Sequence, residues 1–100
     1  MTIVGDGNQR RDFTHVSDVV KANILAAKFE APEYVVKENI EYRRWEWGQV
    51  YNIGTGINYS INEIADMIGG PRVNIPPRLG EARTTLADYS KVKRDLNWTP

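Results

Sequence analysis

The sharpest structural signal in this sequence is a helix in its second half whose start and end are both marked. The segment "SINEIADMIGGP" begins with a capping box, in which Ser60 and Glu63 each bond to the other's backbone amide. Apolar residues then recur at helical spacing, and the closing glycines and proline keep the helix from continuing. Because such a helix is amphipathic, one of its faces is predicted to be buried.

β-prone and helical segments alternate on the N-terminal side of this helix. "TIV" at residues 2–4 predicts a strand, and "DFTHV" at residues 12–16 is a second β-prone stretch. A helix is predicted from a Ser17 cap to about Phe29, and its wide apolar arc indicates that more than one side is covered. "QVYNIG" at residues 49–54 predicts another strand, because it is β-branched and aromatic and ends in glycine.

The C-terminal part continues the alternation. Residues 71–88 are proline-rich and predicted to be extended, and Asp88 is predicted to cap a last short helix. Tyr89, Val92 and Leu96 would form the buried stripe of that helix. The order of strand, helix, strand, helix, extended segment and helix predicts an α/β fold. We expect one small mixed domain over residues 1–100, with short strands and about three helices.

Residues 30–48 give the weakest signal in the chain. The aromatic residues Tyr42, Trp45 and Trp47 keep neither strand nor helix spacing, so this segment is predicted to be a loop with some local structure. Such aromatic side chains can stack on a sugar or a base, but burial against a partner surface is the favoured interpretation.

The composition excludes several classes of function. Lys and Arg number 13, as do Asp and Glu, so the formal net charge is +0 and no electrostatic case exists for nucleic-acid or membrane binding. The absence of cysteine excludes disulfides and thiolate chemistry, and a single histidine, His15, excludes a multi-histidine metal site. No membrane span or signal pattern is present, so a cytoplasmic location is expected.

Two catalytic or cofactor-binding patterns are present only in weak form. Tyr89 and Lys93 have the Y-x-x-x-K spacing that lets a tyrosine act as an acid or base, but a packed tyrosine and a solvated lysine are the favoured interpretation. The glycine pairs at residues 5–7 and 54–56 lack the third glycine of a dinucleotide fingerprint, so tight turns are favoured. His15 is expected to pack or to hydrogen-bond rather than to catalyse.

Three arginines remain as candidates for binding an anion. Arg10 and Arg11 are adjacent near the N-terminus, and Arg78 follows two prolines and precedes a glycine. A guanidinium group is a planar fork that suits phosphate, although a solvated surface position is the usual fate of the residue. Taken one at a time, the residues leave both interpretations open.

The order of the motifs is more informative than any one of them. "GDGNQRRDFTHVSDVVKANILAA", "VYNIGTG", "SINEIADMIG" and "PPRLGEARTTLADYSKVKRDLNWTP" follow one another along the chain. Together they resemble the C-terminal part of the NAD-dependent epimerase/dehydratase family, which are extended short-chain dehydrogenase/reductases acting on nucleotide sugars. UDP-glucose 4-epimerase belongs to this family. The resemblance covers nearly the whole chain except residues 30–48.

The resemblance implies a substrate-binding role for three residues. Arg11 and Arg78 resemble the family's arginines that bind the substrate diphosphate, and Glu81 resembles the acid that bonds to the ribose hydroxyls. It also implies a truncated substrate-binding domain, the C-terminal subdomain of a Rossmann-type enzyme. The NAD-binding Rossmann domain with its catalytic Tyr/Lys pair would be absent. NAD is therefore expected in the complete enzyme, and no catalytic residue, bound cofactor or metal is expected in this chain.

A second hypothesis is an assembly module without enzymatic activity. The wide apolar arc of the first helix and the Tyr42, Trp45 and Trp47 cluster motivate it, because large exposed apolar patches usually mark interfaces. Under this hypothesis the chain forms a homo-oligomer or pairs with a separate cofactor-domain chain.

Overall fold

The structure of the protein is a computed structural model that describes residues 1–31, 35–38, 40–42 and 45–100. Within these residues, three helices and six short strands form a mixed α/β arrangement. The helices are α1 (Val16–Lys28), α2 (Ile61–Ile68) and α3 (Ser90–Leu96). The strands are β1 (Thr2–Val4), β2 (Arg10–Arg11), β3 (Val35–Lys37), β4 (Ile40–Tyr42), β5 (Tyr59–Ser60) and β6 (Val73–Ile75).

The strands pair two by two within the described part of the chain. β1 runs parallel to β6, with Ile3 opposite Asn74. β2 pairs antiparallel with β5, so that Arg11 lies opposite Tyr59. β3 and β4 form an antiparallel hairpin in the segment predicted to be a loop with some local structure. The first two ladders join the N-terminal segment to both ends of α2, because β5 leads directly into that helix and β6 follows it.

The predicted capping box is confirmed atom by atom. The Ser60 hydroxyl accepts a hydrogen bond from the Glu63 amide at 3.0 Å, and the Glu63 carboxylate accepts one from the Ser60 amide at 2.7 Å. At the other end, Gly69 has a φ of 77°, which glycine adopts without strain. The capping box therefore fixes the start of α2 at β5, beside β2.

The other two helices begin close to the predicted positions but with different caps. α1 begins at Val16, and the His15 side chain rather than Ser17 accepts a hydrogen bond from the first turn, from the Ser17 amide. α3 begins at Ser90, whose amide donates to Asp88 although Tyr89 holds the cap position. Both predicted caps were therefore one or two residues from the true helix starts.

Two of the predicted strands are wrong. Residues 12–16 contain no strand, since β2 ends at Arg11 and α1 begins at Val16. Residues 49–54 also lie outside every described ladder, although Tyr51 and Ile53 are partly buried against the core and Asn52 is exposed. This alternation gives the segment its β-like sequence, because β propensity reports packing on a half-buried surface as much as backbone pairing.

Trp98 lies at the centre of the main core, and the sequence pattern did not mark it. Its side chain is 0% exposed and clusters with Ala22 of α1 and Val92 of α3. The indole N–H donates to the Asp18 carbonyl at 3.0 Å, and Tyr89 packs edge-on against the ring at 5.7 Å. Trp98 therefore joins the two terminal helices of the chain.

The molecule is long and thin. Its extents are 57 × 25 × 19 Å and its radius of gyration is 18.7 Å, whereas a compact domain of this length has about 13 Å. The apolar face of α1 is largely in solvent, with Val16 67% exposed and Val20 and Ile24 each 48% exposed. The prediction that more than one side of α1 is covered is therefore wrong for the chain by itself.

Candidate functional site

The two adjacent arginines of β2 serve different parts of the structure because successive side chains of a strand point in opposite directions. Arg10 donates to the Asn58 side chain and carbonyl, both at 2.9 Å, and lies 3.3 Å from Glu63 of the capping box. Arg10 therefore holds β2 against the start of α2. Arg11 is directed to a different segment and is the one that reaches the candidate site.

Arg11 contacts Glu81, another residue that the resemblance selected. The Nη2 atom of Arg11 lies 3.2 Å from Oε1 of Glu81, and Nη1 donates to the Arg10 carbonyl at 2.8 Å. The two side chains are 25% and 35% exposed, so water still reaches the pair. Residues that are 70 positions apart in the sequence thus lie side by side.

Arg78 and Glu81 both line a hollow beside this ion pair. The hollow has a volume of about 640 Å³ and lies over the β1–β6 ladder, with Ile75 and Pro77 among its apolar lining residues. A turn at residues 79–80, with Gly80 at a φ of 77°, separates the two charged residues. Two of the three predicted site residues, Arg78 and Glu81, therefore line one concave surface. Glu81 also contacts the third, Arg11, which is not among the lining residues.

A further arginine of the hollow, Arg83, is already paired. Its guanidinium group donates to both carboxylate oxygens of Asp6, at 2.9 and 2.8 Å. The hydrogen bonds from Arg83 and the Asn8 amide lower the pKa of Asp6 to about 2. Among the described residues, Arg78 makes no ion pair, so it is the arginine of the hollow that is free to receive an anion.

Asp12 holds the segments behind the site together, a role that the sequence analysis missed. Its carboxylate accepts hydrogen bonds from the Thr55 amide and hydroxyl, the Gly56 amide and the Ala87 amide, at 2.6 to 3.2 Å. Burial raises the pKa of Asp12, but the hydrogen bonds from Thr55, Gly56 and Ala87 outweigh it and hold the pKa below its usual value. The sequence features that could have indicated this role are an aspartate directly after a candidate arginine and, much later in the chain, the glycine-containing turn at residues 54–56.

Both glycine-containing turns pack closely against other parts of the protein. A Cβ at Gly7 would lie 2.2 Å from the Asn62 side chain, and a Cβ at Gly54 would lie 2.2 Å from that of Ala87. Glycine at these two positions therefore lets the backbone approach the side chains of Asn62 and Ala87, as expected of tight turns. No helix begins directly after either turn, so no helix N-terminus faces a ligand there.

The weak catalytic pattern has a structural explanation. Tyr89 is partly buried and packs on Trp98, while Lys93 is exposed. Tyr89 thus packs against the core from the cap position just before α3, as the favoured interpretation of a packed tyrosine and a solvated lysine held. In the part of the chain that the structure describes, no helix is long and apolar enough to cross a membrane, and no group of three metal-ligating side chains is present.

Comparisons with known proteins agree with this geometry. The family described as GDP-mannose 4,6 dehydratase matches residues 1–100. A putative UDP-glucose 4-epimerase of Methanocaldococcus jannaschii is 35% identical over 98% of this chain and 28% of its own length. The chain therefore spans little more than a quarter of that relative.

Two solved structures show the same arrangement of elements. The UDP-glucose 4-epimerase of Thermotoga maritima, solved with UDP-glucose, has a TM-score of 0.76 and 32% identity, covering 99% of this chain and 29% of its own. The UDP-glucuronic acid 4-epimerase of Bacillus cereus, solved with UDP-glucuronic acid and NAD, has a TM-score of 0.75 and 31% identity, with 99% and 29% covered.

These matches define a class, the nucleotide-sugar epimerases and dehydratases with a Rossmann-type fold. The chain belongs to the GDP-mannose 4,6 dehydratase family and resembles the C-terminal part of its members. The resemblance derived from the sequence motifs and the α/β fold class are thereby confirmed.

Proposed function

We propose that this chain is the part of an NAD-dependent nucleotide-sugar epimerase or dehydratase that binds the nucleoside diphosphate of the substrate. The observation that carries the proposal is the contact between Arg11 and Glu81 at the edge of the hollow that Arg78 lines. It supports a shared site for three residues that lie far apart in the sequence.

The chemistry of the three side chains matches a nucleoside diphosphate. Two guanidinium groups suit two phosphates, because each presents a fork of N–H donors to phosphate oxygens. A carboxylate suits the vicinal hydroxyls of a ribose, since it accepts hydrogen bonds from both. The base and the sugar would extend beyond these contacts.

In the complete enzyme, NAD would take a hydride from the sugar and return it. This chemistry would belong to a Rossmann domain outside the present residues, because neither glycine turn here leads directly into the helix N-terminus that binds a dinucleotide phosphate. The chain described here would bind and orient the substrate without catalysing its conversion. We further propose that residues 1–100 act as a single substrate-binding domain and that the protein is cytoplasmic.

A titration with UDP-glucose, followed by amide chemical shifts, tests the proposed binding. We expect shifts concentrated around Arg11, Arg78 and Glu81. Arg11→Ala and Arg78→Ala should each weaken binding, because a charged hydrogen bond contributes about 1.5–3 kcal/mol. Water partly screens the charges at this site, so the loss should fall towards the lower end of that range.

Arg72→Ala is the matched control for these substitutions. Arg72 forms an ion pair with Asp66 of α2 and does not line the hollow. Its loss should leave the affinity for UDP-glucose unchanged. Equal affinity in all three variants and the unchanged protein would contradict the assignment of the site.

The exposed face of α1 supports a second candidate function, docking onto another protein surface. Val16, Val20 and Ile24 recur every fourth residue, which places them on one face of the helix, and each is about half exposed or more. We propose a cofactor-binding domain as the occupant, because the matched relatives are more than three times longer and the Bacillus cereus enzyme was solved with NAD.

Sedimentation at rising concentration separates docking of this kind from self-association. A chain that stays monomeric would rule out a second copy as the occupant of the α1 face and leave a cofactor domain as the candidate. A dimer that Val20→Glu abolishes would assign the face to a second copy of the chain instead.

A further inference from the structure

The ion pair between Arg11 and Glu81 has a consequence for which anions the site accepts. The Glu81 carboxylate lies 3.2 Å from Nη2 of Arg11 and thus occupies a position that a phosphate oxygen would take. The remaining outer nitrogen, Nη1, donates to the Arg10 carbonyl. An anion approaching Arg11 therefore meets a group of its own charge, and the two negative charges repel each other.

Binding of a phosphate to Arg11 requires the Glu81 carboxylate to move aside and give up its contact. A carboxylate that has lost its partner and is partly shielded from water is unfavourable unless new donors replace the arginine. Ribose hydroxyls are such donors, since each can donate a hydrogen bond to a carboxylate oxygen. Inorganic pyrophosphate lacks them.

We infer that Glu81 is a specificity-determining residue that disfavours phosphate anions without an attached ribose, through its contact with Arg11. This inference rests on the proposed function, because it takes Arg11 as a diphosphate ligand and Glu81 as a ribose ligand. A nucleoside diphosphate compensates for the broken ion pair with its hydroxyls. Pyrophosphate, phosphate and sulfate break the same contact without compensation.

The hollow contains a second carboxylate–arginine pair, Asp6 with Arg83, with which the Glu81–Arg11 pair can be compared. Asp6 and Arg83 also line the hollow and are joined by two hydrogen bonds, so two carboxylates of the hollow are paired to arginines at the same time. Glu81 makes only one contact of 3.2 Å with Arg11. Glu81 is therefore the more easily displaced of the two carboxylates.

The test is a pair of chemical-shift titrations, with inorganic pyrophosphate and with UDP, of the 100-residue chain and two variants. In Glu81→Gln the competing charge is gone, so the affinity for pyrophosphate should rise roughly two- to fivefold, the range expected for a partly exposed ion pair. The affinity for UDP should rise less or fall, because the ribose loses its acceptor. The preference for UDP over pyrophosphate should therefore decrease.

Glu81→Asp distinguishes contact from charge. It keeps the negative charge but is shorter by one methylene, so the contact with Arg11 is lost or lengthened. We expect pyrophosphate to bind more tightly to this variant too. If Glu81→Asp behaves like the unchanged protein while Glu81→Gln gains affinity, only long-range charge acts and the inference is overturned.

Different results would contradict the proposed function and the role of Glu81. An unchanged protein that does not bind UDP contradicts the proposed function. Equal pyrophosphate affinity in the unchanged protein and in Glu81→Gln, including no binding by either, overturns the role of Glu81 even where UDP binds.

Discussion

Asp12 determines where its neighbour Arg11 can lie. One carboxylate receives hydrogen bonds from residues 55, 56 and 87, and so ties β2 to a glycine-rich turn and to the segment after Glu81. These three segments are far apart along the chain. Because their relative positions depend on one side chain, Asp12 is the residue whose loss should disturb the site most without contacting a ligand.

We predict that Asp12→Asn lowers the free energy of unfolding by about 2–3 kcal/mol at neutral pH, because an amide replaces a charged acceptor of several hydrogen bonds. The difference should shrink in acid. The pKa of Asp12 is lowered in the folded state, so its contribution is present above the usual aspartate pKa and is lost as the pH falls through the lowered value. Urea unfolding over a range of pH measures both effects.

Asp66→Asn is the matched control for this charge removal. Asp66 is exposed on α2 and pairs with Arg72, and such surface pairs contribute less than about 1 kcal/mol. An equal loss of stability in the two variants would contradict the special role of Asp12.

The sequence predicted the candidate residues of the site but not their contacts. Arg11, Arg78 and Glu81 were selected by their motifs, and their role in binding stays a prediction, although Arg78 and Glu81 line one hollow and Glu81 contacts Arg11. The Asp12 cluster could not be predicted, because its donors are backbone amides of residues 55, 56 and 87, and a sequence does not show which amides a fold leaves unpaired.

At the level of elements, α2 is the part of the fold whose boundaries the sequence defined best. Its signals are local: the capping box spans four residues, and the closing glycine needs no partner from elsewhere. The strand predicted at residues 49–54 failed for the opposite reason. A strand exists only where another segment pairs with it, and the sequence shows side-chain alternation without showing the partner.

Ser60→Ala should destabilise the protein by about 1 kcal/mol, since the first-turn amide of Glu63 loses its acceptor. Faster hydrogen exchange should be confined to α2 and to the β2–β5 pair. Ser90→Ala provides the control, because Ser90 is exposed at the start of α3 and the Asp88 side chain satisfies its amide. Identical losses in the two variants would argue against the capping box.

Gly7 and Gly69 offer a test of the junction between the N-terminal turn and α2. Both have a φ of 77°, so alanine costs about 1–3 kcal/mol of backbone strain at either position. At Gly7 the new methyl group would also displace the Asn62 side chain, whose amide donates to Asp6 and Asn8. We predict a larger loss of stability, by roughly 1 kcal/mol, for Gly7→Ala than for Gly69→Ala in urea unfolding.

At the scale of the whole molecule, stability depends on a small core around Trp98. We predict that Trp98→Ala costs about 3–5 kcal/mol, comparable to the entire stability of a small domain, so that cooperative unfolding is lost. Trp47 is 74% exposed, and Trp47→Ala should change the free energy of unfolding by no more than about 0.5 kcal/mol. Far-ultraviolet circular dichroism during denaturation measures both.

The predicted exposed cluster of Tyr42, Trp45 and Trp47 concerns the β3–β4 hairpin and the residues after it. Trp45 packs against Phe29 at 4.7 Å, whereas Trp47 is exposed, so the aromatic residues do not act as one cluster. The predicted exposure of Tyr42 lies outside what the structure describes. Burial against a partner remains a prediction for Tyr42 and Trp47.

In a body only 19 Å thick, the charged groups of the candidate site lie at the surface, with Arg11 25% and Arg83 63% exposed. The guanidinium groups of the hollow attract anions across water and dissolved ions, whose screening length is about 8 Å at physiological ionic strength. The affinity for a nucleoside diphosphate should therefore fall steeply as salt is added. The ionic strength of the buffer would then affect the measured affinity as strongly as a single side chain does.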